Sequence, residues 1–443
     1  MALLGLETLR SEIDGCTPVR RLARVVEIGR GVLAVDGIGK DWRLGDRVQG
    51  IDVAHTSGEI VALAGGRATI LTAGPVEGAR LGDRIENLGT IGVAPDDSWI
   101  GRIVDPFGHA IDGRPLMRGA CDRPLCAAPP PPARRRRLGP RLETGLAVFD
   151  TLLPLVRGQR IGLFAGSGVG KSSLLAKLAR GVTADVTVIA LVGERGRELR
   201  EFVEGVLGPE GMARSVIVAA TSDQSPLVRR RCAWTAMAVA EHFRDAGRQV
   251  LFLADSITRF AEAHREVALA AGEPPSLRGF PPSTSHLIMS LAERAGPGQE
   301  GAGDITAVFS VLVAGSDMDE PVADILRGVL DGHVVMEREI AERGRYPAIN
   351  LLRSVSRSLP HAASERENAI IALARRLLGA YDRAEMMIQA GLYVAGSDPV
   401  VDAALRVWPA LDGFISEDAP DGIAASFVRL AAILDRAGPG LTS

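Results

Sequence analysis

The sequence is poor in cysteine and in aromatic residues. Its 443 residues include four cysteines, and Phe, Trp and Tyr together make up 4%. The cysteines are too few and too scattered for a disulfide framework, and Cys121 and Cys126 have no matching second pair that would complete a zinc site. We therefore expect a protein of a reducing cytoplasm.

The chain also lacks an excess of charge and long hydrophobic runs. Lys and Arg number 51 and Asp and Glu 54, a formal net charge of −3, so no overall positive field favours nucleic acid as a partner. No run approaches the roughly 18 apolar residues that span a bilayer, and the first residues lack a basic region. We expect neither a cleaved signal nor a membrane-spanning helix.

What the sequence does have is a succession of different patterns, which predicts an α/β protein of several domains. Residues 2–14 have apolar side chains at helical spacing and predict a short amphipathic helix. Residues 21 to about 88 form short β-rich runs separated by Gly and Asp, as is typical of a small antiparallel β-barrel. From residue 144 to about residue 357, continuously apolar runs alternate with helical segments, which predicts a parallel sheet buried on both faces.

A helical period continues to the end of the chain. The predicted domains are a partner-binding N-terminal helix (1–20), a β-barrel (21–95), a domain built on the parallel sheet (96–360) and a C-terminal helical domain (361–443). A Pro-rich and Arg-rich stretch, CAAPPPPARRRRLGP, predicts an exposed linker without regular structure. Its arginine run, residues 134–137, could contact acidic lipid or an acidic partner, but a solvated loop is the simpler interpretation.

The segment AGSGVGKSS follows the apolar strand candidate RIGLF and opens a helical segment. Small residues let backbone N–H groups close around phosphates, Lys171 can reach the β- and γ-phosphates, and the Ser172 hydroxyl can bind Mg²⁺. Ala165 replaces the first glycine of the usual pattern, which the entry of the loop tolerates. The segment predicts that residues 96–360 are a P-loop ATPase domain. Its predicted ATP site is made of Ala165, Gly166, Ser167, Gly168, Val169, Gly170, Lys171, Ser172 and Ser173.

Two acidic residues end strand candidates. Asp255 ends QVLFLAD, at the edge where open α/β sheets bind ligands, and is the candidate metal-binding acid. Its alternative role is to cap the following helix. Glu194 ends VTVIALVGE and could polarise the attacking water, although a Glu in a charged run is commonly solvated surface. The residues predict hydrolysis of ATP with Mg²⁺.

Together with VGERGRE, LADSITRFAEAHREVALAAGEPP, GHVVMER, GRYPAIN and SVSR, these motifs resemble the ATPases of type III protein export, relatives of the catalytic subunit of the rotary ATP synthase. AGSGVGKS and AGEPPSLRGFPPS look most like the flagellar export ATPase. The resemblance extends from about residue 21 to the C-terminal helices. It implies a RecA-like domain with Lys171 and Ser172 at phosphate and metal, Asp255 as the Walker B acid and Glu194 as the catalytic carboxylate.

The resemblance also implies two roles that the residues alone leave open. Tyr346 in GRYPA matches the aromatic residue that stacks on adenine, although a Tyr before Pro is as often ordinary packing. Arg357 in SVSR matches the arginine finger, a catalytic residue that acts in a neighbouring subunit; otherwise it would be a surface arginine. GFPPSTSHLIMSL departs from the family's GYPPSVF pattern at residues 283–286, which weakens the inference of contacts with a central stalk.

The implied function is that of the ATP-hydrolysing motor of flagellar protein export, a homohexameric ring peripheral to the inner face of the cytoplasmic membrane. The implied partners are a stator-like regulator at the N-terminus, the export gate, a stalk protein, export substrates and their chaperones. The injectisome ATPase of virulence secretion and the catalytic subunit of a rotary ATP synthase are alternatives. A hexameric RNA helicase would need aromatic stacking platforms in its barrel, and residues 21–88 contain only Trp42.

Overall fold

The structure is a computed structural model that describes residues 20–438, apart from residues 30, 53–55, 75, 91 and 314–317. The helix predicted at residues 2–14 lies outside these ranges and stays a prediction. Among the described residues, no helix combines the length and the apolarity needed to cross a membrane.

The β-rich runs near the start of the described chain close into an antiparallel barrel, as predicted. Its strands are β1 (Arg21–Ile28), β2 (Val32–Asp36), β3 (Arg47–Gly50), β4 (Ser57–Ala64), β5 (Arg67–Thr72) and β6 (Arg84–Gly89). They pair in the order β1-β2-β5-β4-β3-β6 and back to β1. Alternate side chains point inward, so Leu33, Ile60 and Ile70 form the barrel core. Trp42 is also buried, 5% exposed, and therefore offers no stacking platform to a base.

The apolar runs that follow form one mostly parallel sheet. Its strands are β7 (Arg102–Val104), β8 (Arg160–Ala165), β9 (Val186–Glu194), β10 (Ser215–Thr221), β11 (Val250–Asp255), β12 (Gly296–Pro297), β13 (Asp304–Leu312), β14 (Gly332–Met336) and β15 (Ile349–Ser356). The order is β15-β14-β8-β13-β11-β9-β10-β7, with β12 beside β13. Only β12 and β15 of these strands run antiparallel to their neighbours. The central strands are buried along their length, as their continuous apolar sequence predicts.

Helices connect these strands and cover both faces of the sheet. They are α1 (Ala147–Asp150), α2 (Lys171–Gly181), α3 (Gly196–Glu201), α4 (Gly208–Met212), α5 (Pro226–Asp245), α6 (Ile257–Ala270), α7 (Ser283–Arg294), α8 (Pro321–Val329) and α9 (Arg338–Glu342). Serine side chains cap two of them: Ser225 accepts from the Val228 amide in α5, and Ser256 from the Arg259 amide in α6. Because the connections are crossovers, the loops that follow the parallel strands meet at one edge of the sheet.

Charged and aromatic contacts fix the barrel to the sheet domain. Arg230 of α5 donates to Glu59 of β4 at 2.7 Å. Phe107, in the loop after β7, lies between the guanidinium groups of Arg47 and Arg231, which are 4.2 and 4.9 Å from its ring centre. Burial raises the pKa of Glu59, although the charges of Arg230 and Arg231 lower it. The barrel is therefore anchored to α5, a helix that begins near the carboxyl edge of the sheet.

The Pro-rich linker is held by arginines of its own. Arg135 donates to the backbone oxygen of Glu293, and Arg136 donates to the carboxylate of Asp304 at 2.6 Å. The other two arginines of the run are exposed. One 3-10 turn, Pro132–Arg134, is the exception to the expected irregular course. Half of the arginine run thus has a structural explanation.

Three helices follow the sheet, as the helical period predicted: α10 (Glu365–Gln389), α11 (Pro399–Ser416) and α12 (Gly422–Leu434). A capping box begins α10, in which Ser364 and Glu367 satisfy each other's backbone amides. The rings of Tyr381 and Trp408 stack between α10 and α11, with centroids 4.3 Å apart. This helical layer packs on the short helix α1 and on β15.

Candidate functional site

The phosphate loop joins β8 to α2. Gly168 and Gly170 have φ values of +80° and +85°, the left-handed region that favours glycine. Lys171 begins α2, so the helix N-terminus points into the loop. Ala165 is fully buried at the end of β8. Its methyl group packs in the core, which explains why the missing first glycine does not disturb the loop.

A cavity of about 660 Å³ lies over this loop, within the usual range for ligand pockets. The ends of β9 and β13 and the start of α6 complete its walls. The predicted residues that line it are Gly166, Ser167, Gly168, Gly170, Lys171, Ser172, Ser173 and Glu194. Val169 is buried beneath the loop. A second cavity of about 220 Å³ has Ser172, Glu194 and Asp255 in its wall.

Lys171 and Asp255 form a nearly buried ion pair. The lysine Nζ donates to Asp255 Oδ1, and the side chains are 11% and 4% exposed. The pair forms because β13 alone separates β8 from β11, which brings the two strand ends close together. Ser310 of β13 donates to the same carboxylate oxygen at 2.8 Å. Sequence reasoning missed Ser310, although a serine inside the apolar run ITAVFSVLV, next to its carboxyl end, could have pointed to it.

Glu194 ends β9, the strand that pairs with β11, and lies three residues beyond Leu191, the partner of Asp255 in that pairing. Burial raises the pKa of its carboxyl group from the ordinary 4.5 to about 7, and the charge of Asp255 acts in the same direction. A hydrogen bond with Glu198 and the charge of that residue also raise the pKa, whereas Lys171 lowers it. A carboxyl group that titrates near neutrality can serve proton transfer or water activation.

Tyr346 lies against the phosphate loop, far along the chain from it. A Cβ atom placed on Gly170 would come within 3.1 Å of Tyr346 Cδ1. Half of the tyrosine surface is exposed. The side chain is therefore accessible beside Gly170 of the phosphate loop, as an adenine-stacking residue requires.

Arg345 fixes the segment that carries this tyrosine, and sequence reasoning missed it. Its guanidinium group donates to the backbone oxygens of Pro347 and Ile349 at 3.0 and 2.7 Å. Its Nε lies 2.9 Å from the carboxylate of Asp412 in α11. The C-terminal helices are thereby linked to the segment next to the phosphate loop.

Arg357 is not brought to its own phosphate loop. Strand β14 runs parallel to β8, and its first residue, Gly332, pairs with Ser356, whereas its last residue, Met336, lies beside the end of β8. Four residues of strand separate the two positions by about 13 Å. The exposed guanidinium group of Arg357 donates to the Arg327 backbone oxygen at 3.2 Å. This arginine therefore faces away from the cavity of its own chain, at the opposite edge of the sheet.

The segment that departs from the family pattern is used to start α7. Ser283 donates through its amide and its hydroxyl to Glu273, at 2.9 and 2.6 Å. The same hydroxyl lies 2.8 Å from His264 Nε2, and Thr284 is buried. Ser283 thus has partners within the chain, and Thr284 is covered by it.

Comparison with known families gives two matches. Residues 145–356 match the ATP synthase alpha/beta family, nucleotide-binding domain. Residues 363–427 match the T3SS EscN ATPase C-terminal domain. The first match contains the whole phosphate loop and reaches to the residue before Arg357.

Individual proteins match over nearly the whole chain. The flagellum-specific ATP synthase of Caulobacter vibrioides is 44% identical over 441 residues, which cover 97% of this chain and 99% of that protein. The assembled ATPase EscN of the enteropathogenic E. coli type III secretion system superposes with a TM-score of 0.87 and 34% identity, covering 93% of this chain and 100% of that chain. EscN in complex with its central stalk EscO gives a TM-score of 0.84 at the same identity and coverage.

Proposed function

The chain belongs to the flagellum-specific ATP synthase family, and from that premise we propose that its ATP hydrolysis drives the release or unfolding of export substrates and chaperones in flagellar type III export. It is a P-loop ATPase. The observation that carries the proposal is the contact of Lys171 with Asp255 under a nucleotide-sized cavity. This contact joins a phosphate-binding loop to a strand-end acid, the two parts that phosphoryl transfer from ATP requires.

The loop and its neighbours divide the binding of ATP among them. The backbone amides between Gly166 and Lys171 and the N-terminus of α2 surround the phosphates, and Lys171 neutralises their charge. When phosphate enters, Lys171 gains an anionic partner other than Asp255. Tyr346 stacks on the adenine. Its half-exposed side chain beside Gly170 supports this role.

The donor set fits Mg²⁺. The hydroxyl of Ser172 and the carboxylate of Asp255 line one cavity, and both are the hard oxygen donors that this ion prefers. When bound with ATP, Mg²⁺ would supply positive charge to the phosphate oxygens. Ser310, by its hydrogen bond, keeps the Asp255 carboxylate oriented toward the loop.

Glu194 orients and polarises the attacking water. This role is supported by its position at the end of β9, in a cavity wall shared with Ser172 and Asp255. Its raised pKa makes it a better proton acceptor than an ordinary carboxylate when ionised.

Arg357 completes the site of a neighbouring subunit. Arg357 lies at the sheet edge opposite to its own cavity. Each copy of the chain therefore supplies a phosphate loop to one site and an arginine to the site of its neighbour. Such a heterologous contact gives a ring when the rotation from one copy to the next closes on itself. We propose a homohexamer, and the assembled state of EscN supports an oligomer of this kind.

The test is a mixture of two inactive variants. Lys171→Ala removes the main cation of the phosphate site but keeps Arg357, and Arg357→Ala keeps the phosphate site but lacks the finger. Each alone should hydrolyse ATP poorly. In a mixed ring, some interfaces pair an intact phosphate site with an intact arginine, so activity should partly return. If demonstrably co-assembled variants show no recovery, the shared site is wrong.

The family supports proposals about partners and location. EscN has been solved with its central stalk EscO, and we propose that a stalk protein also contacts this chain. We further propose contacts with the export gate and, through residues 1–20, with a stator-like regulator, at the inner face of the cytoplasmic membrane. Equal affinity of the full chain and of a chain without residues 2–14 for the regulator, measured by calorimetry, would remove the N-terminal part of this proposal.

An injectisome ATPase is the second candidate, because EscN superposes over 93% of this chain. Deletion of the gene should abolish motility and export of flagellar subunits; loss of effector secretion with normal flagella would favour the injectisome instead. A rotary synthase subunit would need a different sister chain, so ATP hydrolysis by rings of this chain alone argues against it.

A further inference from the structure

Arg357 is exposed, but the backbone that carries it is held from both sides. The residues before and after it, Ser356 and Ser358, are 8% and 6% exposed, whereas the arginine side chain is open to solvent. Both serine side chains therefore point into the molecule while Arg357 points out.

The two serine hydroxyls converge on one carbonyl group. Ser356 Oγ donates to the backbone oxygen of Pro154 at 2.6 Å. Ser358 Oγ lies 2.8 Å from Ser356 Oγ and 3.2 Å from the same Pro154 oxygen. Gln159 Nε2 donates to Ser356 Oγ at 3.0 Å. Because a hydroxyl has one proton, the Ser356 proton serves Pro154 and the Ser358 proton completes the set by bonding to Ser356 or Pro154.

The backbone of Arg357 shares a hydrogen-bond acceptor with Gln159. The Arg357 amide donates to the Asp331 backbone oxygen at 3.0 Å, and Gln159 Nε2 donates to that oxygen too, at 3.1 Å. The Asp331 carboxylate in turn accepts the amide of Arg160, the first residue of β8, at 3.0 Å. These hydrogen bonds fix Arg357 to the amino end of β8, the strand whose carboxyl end carries the phosphate loop.

We propose that these groups, the Ser356 and Ser358 hydroxyls, the Gln159 amide and the Pro154 carbonyl, form a serine clamp that positions Arg357 for the ATP bound by the neighbouring subunit. The inference rests on the proposed function, in which Arg357 acts in trans. An arginine side chain is long and flexible, so its aim depends on a fixed Cα. A displacement of about 1 Å at a catalytic group can cost on the order of 10²-fold in rate.

Because of the clamp, β8 positions residues of two ATP sites. One end of the strand carries the loop that binds the chain's own ATP, and the other end fixes the arginine that serves its neighbour.

The experiment uses assembled rings of the full chain. Ser356→Ala/Ser358→Ala removes both hydroxyls, and Ser358→Ala alone is the milder change, since Ser356 still donates to Pro154. Ser354→Ala is the matched control: Ser354 is buried on the same strand, but its hydroxyl donates to the Asn350 oxygen and accepts the Val335 amide. We expect turnover of the double variant to fall by about 10-fold to 100-fold with unchanged ATP affinity. Ser358→Ala should show a smaller loss in the same direction, and the control should match the parent.

Mixed rings show whether the clamp variants are defective at the phosphate site or at the arginine side of the interface. Clamp-variant subunits keep an intact phosphate site, so Lys171→Ala subunits, which carry a well-held Arg357, should restore their turnover. Arg357→Ala subunits should not. A clamp defect that Lys171→Ala subunits fail to restore, or parent-like turnover in both clamp variants, overturns the clamp. If the double variant does not assemble, Ser358→Ala decides. Failure of the Lys171→Ala and Arg357→Ala mixture itself would instead refute the shared site on which the clamp rests.

Discussion

Glu194 is the residue whose ionisation bears most directly on the proposed reaction. Its pKa of about 7 in the free enzyme means that protonation removes the water-orienting carboxylate as the pH falls through neutrality. We expect kcat/KM to rise between about pH 6 and pH 8 with a midpoint near 7, since this parameter reports the free enzyme. Glu194→Gln should lose most turnover and this acid limb, while ATP binding survives.

Glu198→Gln provides the matched change for that profile. Glu198 raises the pKa of Glu194 through a hydrogen bond and its charge, so its replacement should move the midpoint to lower pH. An unmoved midpoint in Glu198→Gln, or a normal acid limb in Glu194→Gln, would show that another group controls the profile.

The raised pKa of Glu194 also makes folding stability depend on pH. The folded state binds the Glu194 proton more tightly than the unfolded state, so the contribution of Glu194 to stability falls as pH rises from about 4.5 to about 7. Glu194→Gln should therefore melt at an increasingly higher temperature than the parent over that range.

The Lys171–Asp255 pair gives a second prediction for single residues. Lys171→Ala should abolish hydrolysis and weaken ATP binding, because the phosphates lose their main cationic partner. It also leaves the buried Asp255 carboxylate without its cation, which typically costs on the order of 3 kcal/mol of folding stability. A second change, Asp255→Asn, should restore much of that stability but none of the activity. Urea unfolding of both variants without nucleotide measures this; equal instability of the single and double variants would contradict it.

At the scale of elements, continuous apolar runs were sufficient to predict the five central strands of the sheet, β8, β13, β11, β9 and β10, but not the strands beside them. RIGLFAG, VTVIALVGE and QVLFLAD became β8, β9 and β11 because Val, Ile, Leu and Ala without alternation are stable only when both faces are buried. The β-rich runs before them closed into the barrel for the complementary reason, alternation. Local pattern determines such elements, so a single sequence reveals them.

Contacts between elements were not predictable in the same way. Ser310, Arg345 and the Ser356–Ser358 pair act through partners that are distant in sequence, and strand order decides those partnerships. The resemblance supplied Tyr346 and Arg357, but the opposite placement of these two residues follows only from the pairing of β14 with β8 and β15. The helix predicted at residues 2–14 stays untested.

Arg345 links the C-terminal helices to the adenine side of the proposed site. Arg345→Ala removes the hydrogen bonds to Pro347 and Ile349 and the contact with Asp412, so Tyr346 should lose its fixed position. We expect KM for ATP to rise by about tenfold, the cost of roughly one lost stacking contact, with a smaller effect on kcat. Binding of inorganic triphosphate, which has no base, should be unchanged. Arg343→Ala is the control, since Arg343 is exposed and pairs with Glu385. An equal loss of affinity for ATP and triphosphate would contradict the positioning of Tyr346.

At the scale of the whole molecule, the residues of the proposed shared site lie at two opposite edges of the sheet. The carboxyl edge carries the phosphate loop, Glu194 and Asp255, and the amino edge next to β14 carries Arg357. A single chain cannot bring these edges together, because rigid strands of buried, close-packed residues lie between them. Copies arranged head to tail can, since each then offers its amino edge to the carboxyl edge of the next. This separation, and not the presence of a phosphate loop, is the reason to expect that assembly controls activity.

Specific activity should therefore depend on protein concentration. A dilute monomer has a complete phosphate loop and metal-binding acid but lacks the guanidinium charge that stabilises the transferring phosphate, a contribution of about 10³–10⁵ in turnover in related enzymes. We expect the rate per subunit to rise steeply over the concentration range in which light scattering reports assembly, and then to level off. Arg357→Ala should assemble over the same range without the rise, because it keeps the interface and loses the charge. Since Arg357 also donates to the Arg327 backbone oxygen, assembly of the variant must be measured beside its rate. A rate per subunit that stays constant while the parent passes from monomer to ring would mean that each chain completes its own site, and Arg357 would then be an ordinary surface arginine.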